Sequence, residues 1–399
     1  MSFSQRYLER NIIYPPFNEE KPSAKLGMVV VIPVFDEPDL LQTLDSLACC
    51  KWPEQDVEVL VVVNQSEESP AEIAQQNQQT VMDLQNWMKL KEDTFFHLHV
   101  LVPPPFRKKH AGAGLARKVG MDEAVRRFAS IDEPDGVIVS LDADTLVDEN
   151  YLVEIEQHFQ QEPRQVGATI QFKHRLDEIS DTRHRQGMEL YESYLYYYKN
   201  AMAFTGFPNA IHTVGSAFAV RVSAYIKQGG MNRKQAGEDF YFLHKLAQLG
   251  KIGEINTTCV HPSPRISNRV PFGTGPVLQK WMQGEETLRQ TYDFQSFKDL
   301  KQFFDLLLRI YEAPVPEIRT ILQALPIPVK TFLEEDEFEK ALLEIRSNAS
   351  RFESFEKRFF GYFNAFKILK FLNFVHPKFY TFQDLEEAAQ ALANESKPR

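Results

Sequence analysis

Residues 137–146, VIVSLDADTL, close a largely apolar run with Asp142 and Asp144 one residue apart. A buried strand that stops at D-x-D delivers two hard carboxylate ligands into one crevice. That donor set suits Mg2+ or Mn2+ bridging the phosphates of a nucleotide diphosphate. The same spacing also occurs in ordinary turns and helix caps, so the pair needs context. A second acidic pair, Glu238-Asp239, opens a helical pattern after Gly237, where the positive end of the helix favours a carboxylate. His261 lies in CVHPSPRISNRVPFGTG, and a lone histidine there is either a ligand or a packed, hydrogen-bonded residue. Arg265 and Arg269 follow it beside FGTG. They form either a phosphate-binding loop, since guanidinium forks match phosphate oxygens, or a solvated one. Lys108 and Lys109 carry the same two readings.

The elements that must position these groups alternate. LGMVVVIPVF (26–35), VEVLVVV (57–63), FHLHVLV (96–102) and VIVSL (137–141) read as strands, the first continuously apolar and β-branched as a sheet covered on both faces requires. Leu40, Leu41, Leu44 and Leu47 follow Pro38 at helical spacing, residues 70–90 form a polar helix, and another helix begins near Gly114. Strands separated by helices imply βαβ units, an α/β class and a mostly parallel sheet, in which ligands collect at the carboxyl ends of strands. Asp142 and Asp144 occupy such an end. Further on come a strand near 166–173, a helix around 178–204, a strand at 214–220 and a helix from Glu238. Beyond about residue 280 the pattern is helical and rich in Phe, Leu, Lys and Glu. The expected organisation is an extension (1–25), a catalytic domain (26–280) and an all-helical C-terminal domain (281–399).

Composition narrows the function. With 399 residues, 43% hydrophobic and 12% aromatic, the chain can bury a large core. A net charge of -10 argues against nucleic acid as the main partner, because phosphate backbones need a basic face. Cys49, Cys50 and Cys259 supply neither a disulfide framework nor a metal knuckle, which points to a reducing, cytoplasmic setting. The opening MSFSQRYLERNIIYPPF has charges where a signal peptide needs an apolar core, and there is no apolar run of about 18 residues to span a membrane.

Four segments, in order from residue 30 to residue 250, resemble the family 2 inverting glycosyltransferases, nucleotide-sugar enzymes of the GT-A fold. VVIPVFDEPDLLQTLDSL is similar to that family's opening strand and helix, which implies that Pro33, Phe35 and Glu37 lie near base and ribose. KKHAGAGLARKVGMDEA is similar to its Lys-Gly-x-x-x-Ala-Arg-Asn-x-Gly segment, with Gly112, Ala116, Arg117 and Gly120 in place and Lys109 on the donor side. SLDADTLVDENYL matches its metal-binding D-x-D. VGSAFAVRVSAYIKQGGMN with GEDFYFLHKLAQLG matches the acceptor side. The resemblance implies a metal-dependent transfer from a UDP- or GDP-linked sugar to a hydroxyl of a glycan, lipid-linked or small-molecule acceptor. It makes Asp239 the general base and gives Glu238 an alternative or orienting role. It also makes His261 a further ligand to Mn2+ or Mg2+.

Two departures stand out. The second strand ends VVVNQSEES, so Asn64 replaces the family's base-reading acid, and Lys118 replaces its Asn. Three rivals fit less well. A haloacid-dehalogenase-type phosphatase would carry Thr or Val where Leu146 stands, and a nucleotidyltransferase would carry a Gly-rich, Lys-bearing loop where PVFDEP stands. A non-catalytic sugar-nucleotide-binding protein has no need of both acidic pairs. Two stretches stay open. MELYESYLYYYKNAMAF (188–204) is either core packing or, through Tyr191, Glu192 and Tyr194, an acceptor surface on which sugar rings stack. FFGYFNAFKILKFLNFV (359–375), charged only at Lys367 and Lys370, is either buried in a bundle or a peripheral membrane contact at the inner face of a membrane.

Overall fold

The β-branched runs form the middle of an eight-stranded sheet in a computed structural model that describes residues 3–91, 94–235, 237–267 and 273–395. The strands are β1 (Leu26–Val34), β2 (Asp56–Val63), β3 (Phe96–Leu101), β4 (Val137–Ser140), β5 (Leu146–Val147), β6 (Gly167–Phe172), β7 (Phe218–Arg221) and β8 (Ile252–His261). Their order is β3-β2-β1-β4-β7-β6-β8-β5. The pairs β1–β2, β2–β3, β1–β4 and β6–β8 are parallel, whereas β7 runs antiparallel to both neighbours and β5 antiparallel to β8. Strand β1 is buried almost throughout, as its unbroken apolar run requires. Pro33, which has no N–H to donate, is tolerated there because the β4 ladder ends at Val31↔Ser140. This mostly parallel sheet with flanking helices is the GT-A arrangement that the resemblance implies.

The chain forms two compact units, Met1–Ser180 with Thr213–Gln279, and Asp181–His212 with Lys280–Arg399. Residues 181–212 fall inside the expected 26–280 block yet group with the C-terminal helices. The helices up to that junction are α1 (Gln5–Asn11), α2 (Leu40–Ala48), α3 (Ala71–Leu90), α4 (Ala113–Ser130), α5 (Tyr151–Gln161), α6 (Thr182–Phe204), α7 (Val222–Gln228), α8 (Glu238–Leu246) and α9 (Thr274–Met282). The expected 214–220 strand is shorter, beginning at Phe218.

Helix α4 organises the first unit, because its buried polar side chains each meet a partner. Arg127 donates through Nε to Glu58 Oε2 at 2.6 Å and through Nη2 to Glu58 Oε1 at 2.5 Å, and both side chains are buried. One turn or more earlier, Asp122 Oδ1 accepts from Tyr7 at 2.7 Å and from Tyr225 at 2.9 Å, while Lys118 Nζ lies 2.9 Å from Asp122 Oδ2. The leading residues are therefore docked on the catalytic unit through α1, and Lys118 has a structural task.

The second unit is helical: α6 with α10 (Phe294–Asp305), α11 (Leu307–Glu312), α12 (Val315–Gln323), α13 (Ile327–Glu335), α14 (Phe338–Ser347), α15 (Phe352–Tyr362), α16 (Ala365–Val375) and α17 (Leu385–Glu395). Its core is built from phenylalanines in edge-on contact, with Phe303 5.6–5.7 Å from Phe338, Phe359 and Phe363. Residues 359–375 split where the Asn364 side chain caps α16, accepting from Phe366 N and Lys367 N. Phe359, Phe363, Ile368, Phe371 and Val375 are buried, whereas Phe366, Leu369 and Phe374 are half-buried. Lys367 and Lys370 pair with Asp336 at 2.6 and 3.1 Å. The tyrosines of α6 serve packing in the same way. Tyr194 stacks on Tyr198 at 6.1 Å, and Tyr197 meets Phe297 edge-on while donating to the Tyr292 carbonyl at 2.9 Å. Tyr191 and Glu192 are half-buried on the same helix. Among the described residues no helix is long and apolar enough to cross a membrane.

Removing one partner of the buried Arg127–Glu58 pair strands a charge in the core. Arg127→Met should destabilise the protein by about 3–5 kcal/mol, read as a lower denaturant midpoint. The double variant Arg127→Met with Glu58→Met should recover part of that loss.

Candidate active site

The carboxyl ends of β1, β2 and β4 lie along one edge of the sheet because these strands are parallel. Asp142 lies two residues beyond the end of β4 and meets Arg117, which reaches the same edge from α4. The Arg117 guanidinium donates to Asp142 Oδ1 through Nη2 and to Glu238 Oε1 through Nη1. Its Nε donates to Ser140 Oγ at 3.1 Å, and that hydroxyl donates on to the Gly215 carbonyl at 2.7 Å. Arg117 is only 4% exposed. A side chain at 215 would collide with the guanidinium, since a Cβ there would lie 2.4 Å from Nη2. Arg117 thus couples the D-x-D to the Glu-Asp pair.

Glu238 and Asp239 start α8, where Asn232 Nδ2 donates to the Glu238 carbonyl at 2.9 Å. The segment before α8 packs on the start of α4, and Gly112 permits this approach: a Cβ on it would lie 2.7 Å from the Gln235 carbonyl oxygen. Gly112 therefore touches the chain itself. Lys108 and Lys109 form a short exposed 3-10 turn just ahead of it, with Lys108 Nζ 2.7 Å from Glu68.

The acids do not share one charge state. Burial first, then the neighbouring Glu238 charge, pushes the Asp239 carboxyl up to about 7, against the pull of Arg117. Glu238 is also raised, chiefly by burial, although Arg117 works against the rise. Arg117 itself loses solvation but is held protonated by Asp142, Glu238 and Asp239. One guanidinium facing three acids leaves negative charge over.

Around Asp144 a second cluster forms. Asp36 takes a left-handed φ of 49° after β1, and the turn leads into Glu37, which is buried. Glu37 accepts from Arg265 Nη2 through both oxygens, at 2.8 and 2.7 Å. Arg265 Nη1 lies 3.2 Å from Asp39 Oδ2, and Nη2 lies 3.8 Å from Asp144 Oδ2. Arg175 donates to the Asp144 carbonyl at 3.0 Å and is neutralised by Glu178 at 2.9 Å. Phe35 is half-buried between these groups and β1 in sequence. At the end of β2, Asn64 is buried and its Nδ2 donates to the Val34 carbonyl at 2.7 Å.

His261 is engaged elsewhere. Its Nε2 lies 2.8 Å from Asp148 Oδ1 and its Nδ1 3.2 Å from the Lys173 carbonyl. Among the described residues no group of three or more His, Cys, Asp or Glu side chains is gathered for a metal. Arg269 lies outside the described residues. The donor set still suits a hard divalent cation. The Asp142 and Asp144 side chains are 36% and 25% exposed, and in the two clusters Glu37, Asp39, Asp142, Asp144, Glu238 and Asp239 outnumber Arg117 and Arg265. Asp39, Asp148 and Arg175 carry no sequence signal of their own. Only their contacts mark them.

Residues 29–229 match the model described as glycosyl transferase family 2, and residues 137–325 match that of glycosyl transferase family group 2. No curated protein matches the chain. Among solved structures, S. aureus TarS 1-349 in complex with UDP-GlcNAc is 14% identical, with a TM-score of 0.43 over 82% of this chain and 89% of that one. The mannosyltransferase PcManGT from Pyrobaculum calidifontis, in complex with GDP-Man and Mn2+, is 14% identical, with a TM-score of 0.40 over 98% and 92%.

A carboxyl raised in the folded state keeps its proton where the unfolded chain has lost it, so its stabilisation is present at low pH and is lost as pH rises through about 7. Asp239→Asn should therefore raise the melting temperature at pH 8. The gain should shrink towards pH 4.

Proposed function

Since the chain belongs to glycosyl transferase family 2, we propose that it is an inverting enzyme moving a sugar from a nucleoside-diphosphate sugar to an acceptor hydroxyl, at the site bounded by Asp142, Asp144 and Asp239. The observation that carries this reading is the buried Arg117, which ties the D-x-D to the Glu-Asp pair. Mg2+ or Mn2+ held by Asp142 and Asp144 would neutralise the departing diphosphate. The chain's own residues do the rest.

Asp239 takes the proton of the acceptor hydroxyl. A base works best when its pKa lies near the operating pH, and burial has brought this carboxyl up to about 7. Glu238 is the poorer base because Arg117 engages its Oε1 and stabilises the charged form. It instead fixes the start of α8 against α4. Asn64 reads the base. Its amide nitrogen is committed to the Val34 carbonyl, which assigns the side-chain orientation and leaves Oδ1 as the acceptor. An acceptor at this position suits the ring N–H of uracil or guanine and opposes the ring acceptor of adenine or cytosine. The substituted amide thus keeps one half of what a carboxylate would offer.

Three outcomes are expected. Calorimetry with UDP and GDP, with and without Mn2+, should give metal-dependent binding that Asp144→Ala abolishes; equal binding without metal would remove the role of the pair. Asp239→Asn should keep donor affinity while lowering kcat by about 10²–10⁴-fold. In the native protein kcat/KM should fall about tenfold per pH unit below about pH 7, as Asp239 takes up its proton.

A further inference from the structure

Arg265 is shared among carboxylates from two other segments. Both oxygens of Glu37 lie within 2.8 Å of Nη2, Asp39 within 3.2 Å of Nη1, and Asp144 Oδ2 3.8 Å from Nη2. Glu37 is 5% exposed, so its charge needs a counter-ion where it stands. The sequence offers Arg265 to a diphosphate. In the free protein its guanidinium instead sits among the acids assigned above to the donor.

The three contacts differ in strength. Glu37 holds the fork at both oxygens and Asp39 at one, whereas the Asp144 contact is longer than a hydrogen bond and therefore purely coulombic. Asp144 is thus the partner that Arg265 can give up while keeping the other two. Arg117 has no such freedom at Asp142, because its buried guanidinium is fixed by Ser140 and Glu238 as well. Arg175 grips the main chain of Asp144 rather than its carboxylate.

Resting on the donor-site reading above, we propose that Arg265 is a resident counter-cation of Asp144 and a gatekeeper of metal uptake. It keeps Glu37, Asp39 and Asp144 from repelling one another in the free protein, and it opposes a divalent cation at Asp144 by like-charge repulsion at close range. A nucleoside diphosphate reverses that opposition, because its oxygens offer the guanidinium a fork-matching alternative to Asp144 while Glu37 and Asp39 stay engaged. Arg265 thereby makes metal binding depend on nucleotide, and by linkage nucleotide binding depend on metal to the same degree. It is a positioning residue in this scheme and forms no bond to the transferred sugar.

The test is Mn2+ affinity, read from the spectrum of free Mn2+ by electron paramagnetic resonance, for the native protein and Arg265→Gln, each with and without UDP or GDP. Without nucleotide the variant should bind Mn2+ about tenfold more tightly than the native protein. Adding nucleotide should tighten Mn2+ binding in the native protein far more than in the variant. Equal or weaker Mn2+ binding by the variant overturns the counter-cation role while leaving the metal role of the D-x-D intact. No Mn2+ uptake by either protein overturns both. Because Arg265→Gln removes the buried ion pair to Glu37 and can fail to fold, the native protein supplies a second reading. Phenylglyoxal labelling of Arg265, followed by peptide mass spectrometry, should rise several-fold when Mn2+ is added in the absence of nucleotide, with all other buffer conditions held constant. The rise should vanish in Asp144→Asn. Labelling that ignores Mn2+ in the native protein counts against the proposal.

Discussion

A single buried guanidinium holds this site together. Arg117 has lost its water, and its charge is matched by Asp142 at the end of β4 and Glu238 at the start of α8. Those two acids come from segments almost a hundred positions apart, and each would otherwise face the other's charge in a poorly solvated place. The arrangement depends on small residues nearby. Gly215 leaves room for the guanidinium, and Gly112 lets the segment before α8 lie against α4. The sheet fixes where the strand ends, α4 fixes where the arginine stands, and the arginine then fixes where the end of β4 and the start of α8 meet.

The same shortage of positive charge sets the acids apart electrostatically. Asp142 and Glu238 have a fixed partner, while Asp239 stands next in line and feels mainly burial and a like charge. Its carboxyl consequently sits near neutrality, which is where a proton acceptor is useful. On the other side of the D-x-D, Glu37 and Asp39 claim most of Arg265 and leave Asp144 a weaker share. An excess of carboxylates over arginines is costly for a resting protein and useful for one that takes up a cation and a polyanion together.

Much of this was legible in the amino-acid sequence because it is written in local patterns. Continuous β-branched runs gave β1, β2 and β4, and their common direction placed Asp142 at a ligand-binding edge. The Glu-Asp pair after a glycine marked the start of α8. What the pattern could not carry was partnership across long separations. Nothing in the spacing of residue 265 says that it meets Glu37, or in residue 261 that Asp148 holds its ring. Periodicity likewise shows that a helix has an apolar face without naming what covers it. The Tyr-rich α6 and the Phe-rich α15 and α16 were therefore open between ligand, membrane and core, and rings of each pack within the helical unit.

The docking of α1 adds a constraint that reaches along the whole first unit. Asp122 has two phenolic donors, one from Tyr7 and one from Tyr225, and its positive neighbour is Lys118. The asparagine common at that place in the family would leave this acid with two hydroxyls and no amine. Lys118 and the leading helix thus meet at one buried acid, and removing either changes the surroundings of the other.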